Sequence, residues 1–194
     1  MKIHKHINSF FSSITYILYS DDMPNVWLTD CGDAENIIQW LQKNKKTLSG
    51  VFITHSHYDH IYGLNALKKV YSQMKIYVSA NGTKGLYSSK LNMSQYHQDV
   101  DDFVYEYEDI IEIQDTDNIS LWQDVRLEVI STPGHDWSCL TYKVGDYLFT
   151  GDSYIPQIKV VTNFPKSNKE EAIASLEKIL FLAEKENLTI CSGH

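Results

Sequence analysis

Arginine is almost absent from this 194-residue sequence, in which Arg126 is the only one. The chain carries a formal net charge of −8, and residues 99–128 alone hold eleven acidic residues beside that single arginine. Enzymes that act on nucleic acids need a stripe of lysine and arginine against the phosphates, and the sequence shows none. We therefore expect no nucleic-acid partner, and we interpret the acidic segment as a solvated surface loop or hairpin.

Paired cysteines and long apolar runs are also missing. The three cysteines are an odd number without C-x-x-C spacing, which argues against a disulfide framework and fits a reducing compartment. No apolar run approaches the roughly 18 residues that cross a bilayer. Segment 7–18 is rich in Ser, Asn and Thr and lacks a small-x-small cleavage site, so it predicts a strand or hairpin and not a secretory signal. We predict a cytoplasmic protein that does not associate with a membrane.

The length of the chain favours one domain over residues 1–194. Apolar, β-branched runs predict strands, and helical periodicity appears between them. The predicted strands are 14–19, 26–29, 50–54, 75–79, 125–130, 140–144, 147–150 and 188–191, and the predicted helices are 33–43, 61–73 and one that opens near 167. This mixture predicts a sandwich of sheets covered by helices. In residues 81–118 the pattern is weakest and indicates at most a short helix.

Two of these helices carry signals at their first turn. Asp33 stands at a position where aspartate is a favourable N-cap. Ser167-Asn168-Lys169-Glu170 is a capping-box pattern, which predicts a helix start with Ser167 as the cap. The apolar residues that follow share one face of that helix: Ile173, Leu176, Leu180 and Ala183.

The most informative segment is T-H-S-H-Y-D-H at residues 54–60, directly after an apolar run. Neutral imidazole and carboxylate oxygen are the usual ligands of zinc and similar divalent ions. His55 and His57 point the same way if the backbone is still extended, because side chains alternate along a strand. Asp59 and His60 follow as the chain turns towards a helix. The segment therefore predicts half of a metal site.

Three further candidate ligands occur in a shared local setting, each after a predicted strand and a small residue. They are His135 in Pro133-Gly134-His135, Asp152 in Thr150-Gly151-Asp152, and His194 in Ser192-Gly193-His194. Loops at strand ends can turn such side chains into one crevice.

The ordered series H-x-H-x-D-H, P-G-H, T-G-D and G-H, preceded by Thr29-Asp30-Cys31-Gly32, resembles the metallo-β-lactamase-fold hydrolases over residues 14–194. The resemblance implies an α/β fold, a four-layer αββα sandwich with the site at the sheet edges, and two divalent metal ions. Zinc is the favoured ion, with iron or manganese as alternatives. The implied ligands are His55, His57 and His135 for the first ion, Asp59, His60 and His194 for the second, and Asp152 for both.

The resemblance further implies hydrolysis by a hydroxide that bridges the two ions, with Asp59 and Asp152 as the catalytic carboxylates. No G-x-S-x-G motif supplies a serine nucleophile, which agrees with an activated water. We predict a small-molecule substrate: a thioester, a lactone or another small ester. The alternatives are a mononuclear non-haem iron persulfide dioxygenase, which needs only the first ligand set, and a metal-binding domain without catalysis. The oligomeric state is left open.

An aspartate at position 152 resembles the glyoxalase II-like branch, whereas many zinc β-lactamases carry a cysteine there. The sequence ends on His194, so the resemblance implies a short, single-domain relative whose terminal ligand must be held against fraying. Asp136-Trp137-Ser138 departs from the family pattern of threonine followed by small residues. We interpret Asp136 as a surface substitution in preference to a contact with His135. His97 and Lys159 are candidates for the substrate pocket, and Asp30 for structuring its loop.

Overall fold

The computed structural model of the protein describes all 194 residues. Its eleven strands are β1 (Lys2–Ile7), β2 (Ile14–Tyr19), β3 (Asn25–Thr29), β4 (Thr47–Phe52), β5 (Lys75–Val78), β6 (Ile110–Glu112), β7 (Asn118–Trp122), β8 (Val125–Ser131), β9 (Leu140–Val144), β10 (Tyr147–Gly151) and β11 (Thr189–Ser192). Its four α-helices are α1 (Ala34–Lys43), α2 (Leu64–Val70), α3 (Ala80–Leu86) and α4 (Lys169–Glu186). None of these helices combines the length and hydrophobicity needed to cross a bilayer.

The strands form two sheets, with the orders β1-β2-β3-β4-β5-β6 and β11-β10-β9-β8-β7. One apolar cluster lies between the first sheet and helices α1 and α2. A second lies between the sheets and includes Phe52 of β4 and Phe149 of β10, and a third joins Leu148 of β10 to Ile179 of α4. Phe149 and Leu148 serve different clusters because successive side chains of a strand point to opposite faces. The layers therefore follow the predicted αββα order.

The strand directions bring the predicted ligand loops to one edge of the sandwich. Strands β8 and β10 are both antiparallel to β9, and β11 is parallel to β10, so all three end on the same side. The end of β4 meets this edge, where Leu140 N donates to Thr54 O at 2.7 Å and joins the two sheets. At the same edge Ile14 N, at the start of β2, donates to Gly193 O at 2.7 Å.

All predicted strands are present with small shifts at their ends, and the antiparallel pair β1–β2 confirms a hairpin around residues 7–18. The short helix allowed for in residues 81–118 corresponds to α3, although the sequence patterns do not locate it, and they miss β6 and β7. Helix α3 contains two glycines, which have low helix propensity, and β6 is a three-residue edge strand without a buried alternation. The acidic segment is mostly exposed and ends in the β7–β8 hairpin, except that Asp109 pairs with the buried Lys68.

The N-caps of two helices differ from the sequence prediction. Asn168, not Ser167, caps α4, because its side chain accepts a hydrogen bond from Glu171 N at 3.1 Å. Ser167 Oγ instead donates to the carbonyl oxygen of His135. Asp33 precedes α1 but makes no side-chain capping bond. Its carboxylate accepts from Ser9 N at 2.8 Å, Ser9 Oγ at 2.7 Å and the Tyr62 hydroxyl, and so secures the β1–β2 loop.

The buried face of α4 also differs from the predicted one, because it runs through Ala172, Ser175 and Ile179. Ile173 and Leu180 are 51% and 44% exposed, whereas Ala172 and Ser175 are buried. Small residues are required because α4 lies directly on the loop of Gly134, where an added Cβ would come within 2.2 Å of Ala172 N. Ser175 Oγ donates to Pro133 O at 2.6 Å. Close packing and a hydrogen bond therefore decide the orientation of α4.

This orientation predicts different costs for two adjacent truncations in α4. Ile179→Ala should destabilise the protein by about 2–5 kcal/mol, since it opens a cavity in the third apolar cluster. Leu180→Ala should change stability by only about 0.5 kcal/mol, because nearly half of the residue is already exposed to solvent and it belongs to none of the apolar clusters. Denaturant unfolding of the two variants measures both values. Equal costs would contradict the assigned face.

Candidate metal centre

Asp30, from the turn after β3, fixes the backbone where the histidine motif begins. Its carboxylate accepts from Thr54 N and from Thr54 Oγ1, both at 2.7 Å. Its Oδ2 also lies 2.9 Å from His60 Nδ1. The loop-structuring role predicted for Asp30 is therefore observed, and the same carboxylate orients a candidate ligand.

The first candidate ligand cluster consists of His55, His57 and His135, all buried. His57 Nδ1 lies 3.1 Å from His135 Nε2, so these two nitrogens converge on one point. His55 Nε2 is buried without a hydrogen-bond partner. Burial lowers the pKa of all three imidazoles, that of His57 to about 4. The neutral ring that results is the form that binds metals.

The second candidate cluster consists of Asp59, His60 and His194. Asp59 Oδ2 lies 3.3 Å from both His60 Nε2 and His194 Nε2. Burial disfavours the charged ring of His194, but the carboxylates of Asp152 and Asp59 outweigh it and raise its pKa to about 9. Asp59 and His60 are neighbours in sequence, and one turn of 3₁₀ helix over Tyr58–His60 brings their side chains together.

Asp152 lies between the two clusters. Its Oδ1 is 3.5 Å from His60 Nε2, and its Oδ2 is 3.5 Å from both His135 Nε2 and His194 Nε2. His55 Nε2 is 4.0 Å from the same Oδ2. All seven residues predicted as ligands are thus brought together, with one carboxylate shared.

Four of these histidines have their outward nitrogen held by an oxygen. His135 Nδ1 lies 3.0 Å from Val161 O, and His194 Nδ1 lies 3.0 Å from Phe11 O. His55 Nδ1 faces Thr54 Oγ1, and His60 Nδ1 faces Asp30. Such outer contacts fix ring orientation and tautomer in metal sites. Each ring therefore presents Nε2 inwards.

The donor set fits divalent metal ions. His55 Nε2, His60 Nε2 and Asp152 Oδ1 are buried and lack any hydrogen-bond partner within the protein. Unpaired buried polar atoms are costly and rare in folded proteins. Three of them at one point, among imidazoles and carboxylates, are what a metal site of nitrogen and oxygen ligands requires.

The terminal residue is secured by hydrogen bonds of the protein itself. Gly193 N donates to Gly151 O at 2.9 Å, and Ser192 Oγ donates to His194 O at 2.6 Å. A side chain at Gly193 could not fit, because an added Cβ would lie 2.2 Å from Asp152 Oδ1. Contacts within the protein therefore hold the position of His194.

A cleft of about 490 Å³ opens above the two clusters. Its walls are mainly apolar, and the lining residues beyond the candidate ligands are Phe11, Tyr58, Met93, Tyr96, His97, Ile155, Val161 and Phe164. The Phe164 ring stands edge-on to the rings of His57 and His135, at centroid distances of 5.0 and 5.5 Å. The pocket prediction holds for His97. Lys159 instead lines a separate groove beside α4, so that prediction is wrong.

The interpretation of Asp136 as a surface substitution is wrong. The residue is 1% exposed, and its Oδ1 accepts a hydrogen bond from Ser138 N at 2.9 Å. Its Oδ2 lies 3.7 Å from His57 Nε2, so it faces His57 and not His135. Burial raises the pKa of this carboxyl, against the hydrogen bonds from Ser138. The sequence does contain one indication of this position, because Asp136 directly follows the candidate ligand His135.

The three cysteines are buried and free, as expected, and burial raises the pKa of each thiol. None of them lines the cleft, and neither does any serine or threonine. The cleft thus presents histidines and carboxylates but no hydroxyl or thiol nucleophile from these residue types.

Comparison with known proteins places this geometry in a family. Residues 14–194 match the metallo-beta-lactamase superfamily. A "Probable metallo-hydrolase" of Streptococcus pyogenes serotype M6 is 30% identical over 192 residues, covering 93% of this chain and 78% of that protein. A hydroxyacylglutathione hydrolase of a Shewanella species is 28% identical over 148 residues, which cover 76% of this chain and 50% of the relative. The chain thus spans about half the length of that enzyme.

Among solved structures, the BLEG-1 B3 metallo-beta-lactamase is similar to the whole chain. The TM-score is 0.89 at 25% identity, over 100% of this chain and 91% of that one. The match of residues 14–194 and the two-sheet architecture show that this chain belongs to the metallo-beta-lactamase superfamily.

Proposed function

We propose that the protein is a dinuclear metal-dependent hydrolase that cleaves a thioester, a lactone or another small ester. The observation that carries this proposal is the pair of three-residue clusters with Asp152 between them. His55, His57 and His135 would hold one ion, Asp59, His60 and His194 the other, and Asp152 would contact both. The unpartnered inward atoms of His55, His60 and Asp152 support the assignment.

When bound, two such ions lower the pKa of a shared water and polarise the acyl oxygen of a substrate. The chain supplies the surroundings for this chemistry. Val161 O and Phe11 O face the outward nitrogens of His135 and His194, so the Nε2 atoms of both rings point towards the clusters. The Phe164 ring packs edge-on against His57 and His135 at the wall of the cleft. Asp59 and Asp152 contribute the negative charge that retains divalent ions.

The substrate class rests on the cleft and on the relatives. Apolar walls suit the acyl portion of an ester or thioester, and the lack of a serine or cysteine nucleophile in the cleft favours an activated water. The similarity to hydroxyacylglutathione hydrolases supports a thioester, although it covers half of those proteins. We favour zinc, with iron or manganese as alternatives. A cytoplasmic location and a single domain over residues 1–194 stay predictions.

Metal content tests the two-ion assignment. The zinc-loaded wild type should contain two ions per chain by metal mass spectrometry. His194→Ala and His135→Ala should each retain about one, because each substitution removes a ligand of a different cluster. His4→Ala is a matched control that should retain two, since His4 stacks on Trp40 away from the clusters. If His194→Ala kept both ions, the second-site assignment would be wrong.

Substrate class is tested with a panel of thioesters, lactones, phosphodiesters and β-lactams. We expect thioester or ester hydrolysis that a chelator abolishes and zinc restores. Asp152→Asn should lower kcat/KM by about a hundredfold or more, because metal charge contributes several kcal/mol to the transition state and 1.36 kcal/mol is tenfold.

The same panel, extended by a persulfide and combined with the metal analysis, separates the alternatives. One iron per chain with oxygen uptake on a glutathione persulfide would favour the dioxygenase instead. Hydrolysis of β-lactams alone would favour an activity like that of the BLEG-1 enzyme.

A further inference from the structure

His57 differs from the other four histidines of the clusters in the nitrogen that it turns inwards. Its Nδ1 lies 3.1 Å from His135 Nε2 and faces the first cluster, so its Nε2 points away. The carboxylate of Asp136 lies on that outward side, with Oδ2 3.7 Å from His57 Nε2. Asp136 is the only acidic residue with a carboxylate oxygen within 4.0 Å of this nitrogen.

We propose that Asp136 is the positioning residue of the first metal site: its carboxylate keeps the proton of His57 on Nε2 and leaves Nδ1 free as a ligand. A neutral imidazole carries one proton, and the nitrogen that faces a carboxylate is the one that holds it. The inference rests on the proposed function, because it requires a metal ion at Nδ1. Asp136 acts through His57 and does not contact the substrate.

The carboxylate is held by Ser138, which is itself hydrogen-bonded to the backbone of the histidine motif. Its Oδ1 accepts from Ser138 N at 2.9 Å and from Ser138 Oγ. Ser138 Oγ in turn accepts from Ser56 N at 3.2 Å, and Ser56 lies between His55 and His57. Because Oδ1 is fully used in this way, Oδ2 is left for His57.

A second carboxylate faces the outward nitrogen of a cluster histidine, and it does so at hydrogen-bond distance. Asp30 Oδ2 lies 2.9 Å from the outward Nδ1 of His60, in the second cluster. Each cluster therefore contains one histidine backed by a buried aspartate. A buried carboxylate is costly unless its oxygens are paired. We therefore infer that the two buried aspartates beside candidate ligands have a role beyond filling space. The other three histidines are backed by neutral oxygens of Thr54, Val161 and Phe11.

Asp136→Asn tests the role with little change in shape. The amide oxygen can still accept from Ser138 N, but its NH₂ group then faces His57 Nε2 and favours the proton on Nδ1. We expect zinc affinity at the first site to fall about 10- to 100-fold, the usual effect of losing such an outer contact. Chelator competition measures this change.

Two backgrounds assign the effect to one ion. With His194→Ala only the first-site ion remains, and Asp136→Asn should weaken it. With His135→Ala only the second-site ion remains, and Asp136→Asn should leave its affinity unchanged. Asp102→Asn is the matched control, because this exposed carboxylate bonds Ser89 and should affect neither ion. Equal losses at both sites would show a general structural effect and overturn the inference.

The Nε2 proton of His57 gives an NMR signal that a purely structural role of Asp136 would not change. In zinc-loaded wild type, nitrogen-resolved NMR should show a slowly exchanging, low-field Nε2–H of His57. In Asp136→Asn this signal should shift upfield or be lost, whereas Ser138→Ala, which keeps the charge, should retain it. If Asp136→Asn does not fold, the wild type and Ser138→Ala still decide the matter. An ordinary, rapidly exchanging Nε2–H in the wild type would overturn the inference.

The outcomes also separate this inference from the proposed function. If the wild type binds two ions and Asp136→Asn behaves identically, only the role of Asp136 fails. If the wild type binds no divalent ion, the proposed function fails and this inference fails with it.

Discussion

The carboxylate of Asp152, which is largely buried, is the group on which the arrangement of the site depends. It follows β10 in the second sheet, yet its oxygens approach histidines that follow β4, β8 and β11. Removing a carboxylate from water costs several kcal/mol unless opposite charge or hydrogen bonds surround it. Here the compensation comes from side chains of both sheets. The interaction therefore couples the sheets at the edge where Leu140 N also bonds Thr54 O.

The polar centre is built for orientation and not for stability. Well-packed apolar residues usually stabilise a fold at least as well as a buried ionic cluster. The protein nevertheless gives the outward nitrogens of four histidines oxygen partners within hydrogen-bond distance, while inward atoms of His55, His60 and Asp152 stay unpartnered. Outer contacts of this kind hold the rings in place before any ion arrives. Unpartnered buried polar atoms cost free energy of folding, so their presence here supports an arrangement that serves to bind a ligand.

Much of this site could be predicted because the ligands follow strands, and strand ends that share a direction meet at one edge. Patterns of residue type could not predict contacts that depend on distance. The face of α4 followed the close approach of Gly134 to Ala172, not the apolar stripe of Ile173 and Leu180. Asp136 was assigned to the surface because charge usually lies there, and only the fold shows it behind His57. The glycines of α3 and the short β6 likewise gave no periodic signal.

The β1–β2 loop contributes both to the cleft wall and to the second cluster, and two of its residues have a strained backbone. Phe11 and Ser12 adopt left-handed conformations, with φ of 51° and 57°, which cost about 1–2 kcal/mol per residue. This conformation lets Phe11 present its carbonyl to His194 Nδ1 and its ring to the cleft. Strain of this size persists only where neighbouring contacts enforce it. The backbone bonds from Asn8 N to Ser13 O and from Ser13 N to Phe10 O close the loop around these two residues. Asp33 anchors the start of the same loop at Ser9, so the carboxylate predicted as a helix cap instead supports the loop that orients a candidate ligand.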